Sequence, residues 1–217
     1  MQYWINNKFI FFIGILGTSL FVVSSILGGF LIENYNILNQ YISETFAIDT
    51  EFGLILRVFG YIPSGILIAL FCFLGVKCFT SSKLIKIGFY GIGIFYGLGT
   101  VIIGIFPCDS GCNRELIDPS SSQLIHNFMA LLTYLLVPLF MILIGLGLKN
   151  SGYKNTFSLQ STVYGLISIF FVFILGSNLN SEYIGLYQRM IESVFVIWII
   201  SCAITIKKLK NRKASSI

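Results

Sequence analysis

Residues 9–32 read FIFFIGILGTSLFVVSSILGGFLI, a run with no charged side chain and nothing more polar than Thr18, Ser19, Ser24 and Ser25. A helix of about 20 apolar residues crosses the roughly 30 Å hydrocarbon core of a bilayer. This run is long enough, and it is apolar on every face. That excludes the strand of a membrane barrel, in which apolar and polar residues alternate. Five further stretches have the same character, at 53–76, 87–106, 124–148, 161–177 and 187–206, the fifth of the six being the shortest. The expected fold is an all-α membrane protein. A six-transmembrane-helix bundle fills residues 1–206 as one domain, followed by a basic tail at 207–217.

Composition agrees. Of 217 residues, 56% are hydrophobic and only 11% charged, against about 45–50% and about 25% in soluble domains. The mean hydropathy is +0.87. Too few charges exist to cover a soluble fold of this size. The run at 9–32 is also much longer than the 7–15-residue core of a signal peptide, with Lys8 as the sole base before it and no small-residue cleavage site after it. It is expected to stay as a helix, anchored at the interface by Tyr3 and Trp4.

The net charge of +5 resolves into two sides. With the N-terminus inside, eleven of the 14 bases fall on the inner side: Lys8, Lys77, Lys83, Lys86, Lys149, Lys154, and the tail's Lys207, Lys208, Lys210, Arg212 and Lys213. Arg57, Arg114 and Arg189 fall outside, together with all 9 acids. The positive-inside rule then predicts both termini in the cytoplasm. A basic surface seeking nucleic acid is not implied, and nucleic acid is not an expected partner. Cys72, Cys78 and Cys202 lie toward the reducing side, whereas Cys108 and Cys112 share an outer loop where a disulfide is permitted.

Within the spans, Ser24/Gly28, Ser25/Gly29, Gly93/Gly97 and Thr100/Gly104 fit the small-xxx-small pattern of close helix packing. Pro63 and Pro138 predict kinks in the second and fourth helices. A few ionisable groups sit near the outer ends of spans: Arg57, His126, Arg189 and Glu192. Such groups are costly in lipid and face protein or water. Arg189 and Glu192, three apart, share a helix face and can pair. Ion pairs that fix packing, or snorkelling to the headgroups, would explain these residues without any ligand. A cavity open to the outside would explain them as a site. No charge at the midplane argues for a transporter.

The loop Pro107-Cys108-Asp109-Ser110-Gly111-Cys112 has the residues of a tight turn, which can bring its two thiols within disulfide reach. The same two cysteines with His126 and Asp109 have the ligand types of a zinc site, but CxxxC followed by one histidine is a weak pattern. The expectation is a disulfide, with no metal and no cofactor. His126 is the sole histidine, so bis-histidine haem ligation within one subunit and the His-Glu-x-x-His motif are both excluded. Ser64, in Pro-Ser-Gly, has no base placed to activate it.

Four short motifs occur in order: Tyr41-Ile42-Ser43-Glu44, Gly104-Ile105-Phe106-Pro107-Cys108-Asp109-Ser110-Gly111-Cys112, His126, and Gly185-Leu186-Tyr187-Gln188-Arg189. Together, over about residues 10–206, they resemble the bacterial and archaeal membrane-protein family called "domain of unknown function 998". The family usually reads Ser-Glu-Leu-Gly where this chain has Ser43-Glu44-Thr45-Phe46, a departure at the turn and not at Glu44. The resemblance implies a six-helix protein of the cytoplasmic (inner) membrane with no established activity. All four motifs fall on the outer side.

Three functions compete. The favoured one is a non-enzymatic protein whose outward-facing polar site binds or senses a small molecule or lipid headgroup, or supports another membrane protein. Its candidate residues are Glu44 (as a lid), Arg57, Asp109, His126, Gln188, Arg189 and Glu192. The second is an enzyme acting on lipid headgroups or envelope components, with His126 as base and Asp109 or Glu192 as acid. The third is a small transporter.

Overall fold

In lipid no water is present to satisfy backbone polar groups, so each span must close its own hydrogen bonds as a helix. The computed structural model describes residues 6–79, 82–152 and 156–209; Tyr3, Trp4, Lys154, Lys210, Arg212 and Lys213 lie outside them. The described residues are 80% helical and contain no strand. Its long helices are α1 (Asn7–Leu31), α2 (Gly53–Cys78), α3 (Lys83–Ile105), α4 (Ser121–Asn150), α5 (Thr156–Ser177) and α6 (Ile184–Lys208), all long and apolar enough to cross a membrane. They match the six expected stretches, several beginning a turn earlier or ending later. The single boundaries that move furthest are the start of the fifth span, Thr156 rather than 161, and that of the third, Lys83 rather than 87. Polar first and last turns extend a helix beyond its apolar run, and hydropathy does not register them.

Each helix packs against the next and α6 returns to α1, so the bundle is a closed ring. Aromatic contacts fill its centre, with Phe89 against Trp198 at 6.0 Å and Tyr96 against Phe195 at 5.1 Å between ring centroids. Trp198 Nε1 is satisfied by Ser161 Oγ at 2.7 Å, and that hydroxyl donates to Met141 O at 2.8 Å. Ser64 Oγ likewise donates to Gly17 O at 2.8 Å, tying α2 to α1. This serine is a packing residue.

Glycine sets how closely α2 and α3 approach. A Cβ on Gly97 would meet the backbone of Ala69 at 2.5 Å, and one on Gly65 would meet Gly97 O at 2.6 Å. The two proline positions behave differently. Before Pro63, α2 widens into a π-turn at Arg57–Tyr61, where Ile62 N–H reaches back to Arg57 O. The wider turn accommodates a residue that has no N–H to give and a ring that crowds the preceding turn. Through Pro138, α4 runs as one α-helix. A second π-turn, Gly93–Leu98, interrupts α3; no proline marks it.

The two ends of the ring differ. One carries Lys8, Lys77, Lys83, Lys86, Lys149, Lys207 and Lys208, here the basic end. The other, the disulfide end, carries the loops 32–52, 106–120 and 178–183, with eight of the acids in or beside them.

Candidate functional site

The loop after α1 does not stay at the surface. Ile42–Phe46 forms a short 3-10 helix, all five residues of which are buried in the disulfide end. Its backbone needs partners there. Tyr41 N–H donates to Glu44 Oε1 at 2.9 Å, and Ile42 N–H donates to Gln188 Oε1 at 2.7 Å. Arg114 closes the other side of Glu44, with Nη2 at 2.6 Å from Oε1, and lies over the Tyr41 ring at 4.9 Å. It is the sole ion pair among the described residues. Arg189 holds the approach to this segment by donating from Nη1 to Ile37 O at 2.9 Å, Gln40 O at 2.8 Å and Gly185 O at 3.0 Å, and from Nη2 to the Tyr35 hydroxyl. Gly185 is required at this crossing, because a Cβ would strike the carbonyl oxygens of Gln40 and Ile37. Burial pushes the Tyr35 and Tyr41 phenols above their ordinary range, with Arg189 and Arg114 pulling the other way.

Beside this cap, Cys108 and Cys112 form a disulfide with Cα atoms 4.8 Å apart. Gly111 and Asn113 take positive φ to turn the chain that tightly. Cys112 Sγ lies 3.3 Å from Ser43 Oγ, and Cys108 Sγ 3.6 Å from Ser43 O, so the disulfide rests on the 3-10 helix. Gln123, fully buried at the start of α4, accepts from Asp109 N–H at 2.7 Å and donates to Cys112 O at 3.2 Å and Asn127 Oδ1 at 2.8 Å. Asp109 turns its carboxylate to the Ser120 N–H and hydroxyl, which hold it below its ordinary pKa. His126 Nδ1 is 3.1 Å from Phe106 O. Ligand atoms of Cys108, Cys112 and His126 all lie within 4.8 Å of one another. With both sulfurs bonded to each other, and Asp109 engaged by Ser120, these residues act as a staple rather than as metal ligands in this state.

A separate opening lies between two of the helices. A cavity of about 700 Å³ separates α1 from α6 on the disulfide side of the bundle. Near the basic end the two helices are tied, since Asn7 Nδ2 donates to Leu209 O at 2.9 Å and Lys207 Nζ sits 4.4 Å from the Phe11 ring centre. The cavity walls are apolar, from Phe21, Val22 and Ile26 on α1 to Val196 and Ile197 on α6, with Ile42 of the cap. Phe30, Ile26 and Ile197 are exposed to the surroundings, so the opening is lateral. Its polar groups are Ser25, Tyr35, Arg189, Glu192 and Ser193. Glu192 is buried about two turns inside α6, and each carboxylate oxygen accepts one phenol: Tyr96 on Oε2 and Tyr134 on Oε1, both at 3.0 Å. Tyr96 comes from the π-turn of α3, so that irregularity contributes directly to the site.

Of the seven candidate residues, Arg189 and Glu192 line this cavity. They face it from one helix yet do not pair: Arg189 reaches to the loop and Glu192 to the tyrosines. Glu44, Gln188, Asp109 and His126 belong to the cap and its staple, and Glu44 is a buried anchor rather than a lid. Arg57 stands apart, half-exposed between Leu54 and Val58, its Nε donating to Gly53 O at 3.3 Å. A single shared cavity for all of them does not form. Tyr96, Tyr134, Gln123 and Arg114 were not among the expected site residues. Tyrosine and glutamine within apolar helices are unremarkable in a sequence, and Arg114 reads as one more loop base.

The sequence profile of the family described as "Protein of unknown function (DUF998)" matches residues 15–205, so the chain belongs to that family. No curated protein and no solved structure matches it.

Proposed function

We propose that this member of the family is a non-enzymatic membrane protein that binds an amphipathic small molecule or lipid in the lateral cavity between α1 and α6. One observation carries the reading: the cavity combines apolar walls, two charged side chains and an opening toward the lipid. Its volume, about 700 Å³, is in the usual range for ligand sites, about 300–1,000 Å³. An acyl or similar chain would lie along Val22, Ile26 and Ile197 while its polar end met Arg189 and Glu192. The disulfide cap would be the fixed roof against which the ligand seats.

The distribution of lysine and arginine supports an orientation with the disulfide end outside and both termini in the cytoplasm, in the cytoplasmic membrane of a bacterium or archaeon. A disulfide at that end suits an oxidising compartment. A site there would take its ligand from the outer leaflet or the space beyond it.

Photo-crosslinking tests the reading. A benzophenone amino acid at Ile197, inside the cavity, is expected to capture one class of amphiphile with a discrete mass. The same group at Phe173, 71% exposed on α5, is expected to capture the mixed lipids of the membrane. An identical mixture at both positions would contradict it.

A further inference from the structure

Arg189 and Glu192 are the two charged groups in the cavity, and neither has a partner of opposite charge among the described residues. An unpaired charge away from water is costly; Glu192 is buried and Arg189 partly exposed. Their side chains are about 5–6 Å apart at Cβ, and the hydrogen bonds pull them in different directions. Arg189 is drawn to the carbonyls of Ile37 and Gln40, Glu192 to the phenols of Tyr96 and Tyr134.

Both retain hydrogen-bonding capacity. A guanidinium has five N–H groups; Nε–H and one N–H on Nη2 of Arg189 have no protein acceptor among the described residues. A carboxylate offers about four acceptor sites, and the tyrosines occupy two of those on Glu192. A ligand carrying only an anion would meet Arg189 but set its charge beside Glu192. One carrying only a cation would do the reverse.

We infer that the cavity selects a zwitterionic ligand, in which an anionic phosphate or carboxylate is joined by a short linker to a protonated amine. The anion takes the free N–H groups of Arg189, and the ammonium donates to the open lone pairs of Glu192. Ser25 and Ser193, which also line the cavity, add hydroxyls. This deepens the binding function proposed above and rests on it. The same head chemistry occurs in an aminophospholipid and in a free phosphorylated or carboxylated amine. The apolar walls favour the first.

The test is native mass spectrometry of the delipidated full-length protein in detergent with four probes: dioleoylphosphatidylethanolamine, dioleoylphosphatidylglycerol, decylamine and free phosphoethanolamine. The wild-type protein is expected to retain the phosphatidylethanolamine about tenfold more than the phosphatidylglycerol, and decylamine weakly. Stronger retention of the lipid than of free phosphoethanolamine assigns a lipid headgroup; the reverse assigns a soluble zwitterion. Glu192→Gln is expected to abolish the preference by lowering phosphatidylethanolamine retention and raising that of phosphatidylglycerol, with far-ultraviolet circular dichroism reporting that the variant is folded. Equal retention of the zwitterionic and anionic lipids by the wild-type protein, or a preference that survives Glu192→Gln, would overturn the inference while leaving a binding cavity. Retention of none of the four would overturn the binding function as well.

Discussion

Arg114 shows how one side chain can hold a buried segment in place. Its ion pair with Glu44, at 2.6 Å, is only partly exposed, with side-chain accessibilities of 31% and 7%. Arg114→Gln would leave Glu44 the donors from Tyr41 N–H and Gln40 Nε2. It is therefore expected to lower stability by roughly 1–2 kcal/mol, and Glu44→Ala to lower it by more, because it strips three partners at once. Reversible unfolding in mixed detergent micelles measures both. Asp109 adds a pH dependence. Its folded-state pKa is depressed by the Ser120 hydrogen bonds, so its contribution is fully present above the unfolded carboxylate pKa and is lost as pH falls through the lower folded value. Stability of the wild-type protein should fall more steeply below about pH 4 than that of Asp109→Asn.

At this scale sequence and structure part company most. His126 and the two cysteines were visible from their chemistry and do come together. The pairing of Arg189 with Glu192 suggested by their spacing does not occur. Helical spacing places two side chains on one face but says nothing of stronger partners on other elements. Those partners are the carbonyls of the 36–41 loop and two phenols, 96 and 58 residues from Glu192 in sequence.

Among the elements, α2 and α3 show how backbone contact depends on single residues. A side chain at Gly97 would collide with the Ala69 backbone, whereas a Cβ at Gly176 would meet nothing within 4 Å. Gly97→Val should destabilise the fold by about 3 kcal/mol, and Gly176→Ala should be neutral or better; thermal unfolding in detergent compares them. The Cys108–Cys112 link is an element-level device as well, fixing the turn on which the buried 3-10 helix rests. Cys108 is fully buried and Cys112 is 7% exposed, so the disulfide should resist reduction until the cap opens. Replacing both by serine is expected to cost about 2 kcal/mol by the loop-entropy relation for so short a loop. The helices were legible because lipid demands long apolar runs. The insertion of Ile42–Phe46 was not, since a five-residue loop segment has no periodicity to betray burial. The π-turn before Pro63 has the proline as its sequence marker, and the one at Gly93–Leu98 has none.

For the whole molecule, the six spans and the charge asymmetry between the ends of the bundle follow from hydropathy and lysine placement, which is why the fold class was readable from 217 letters. The cavity was not. It arises where α1 and α6, at opposite ends of the chain, meet in the ring, and a one-dimensional reading does not bring them together. The orientation is open to direct measurement. A membrane-impermeant maleimide applied outside should label Glu182→Cys and leave Lys149→Cys untouched, and the reverse would invert the topology. The most direct test of the binding cavity is native mass spectrometry of the gently extracted protein. The wild-type chain should carry a bound amphiphile of discrete mass, and Ser193→Trp, which fills the cavity from an exposed position on α6, should lose it while keeping its helix content. A wild-type protein that flies bare, or a Trp variant that holds the same species equally well, would contradict the account.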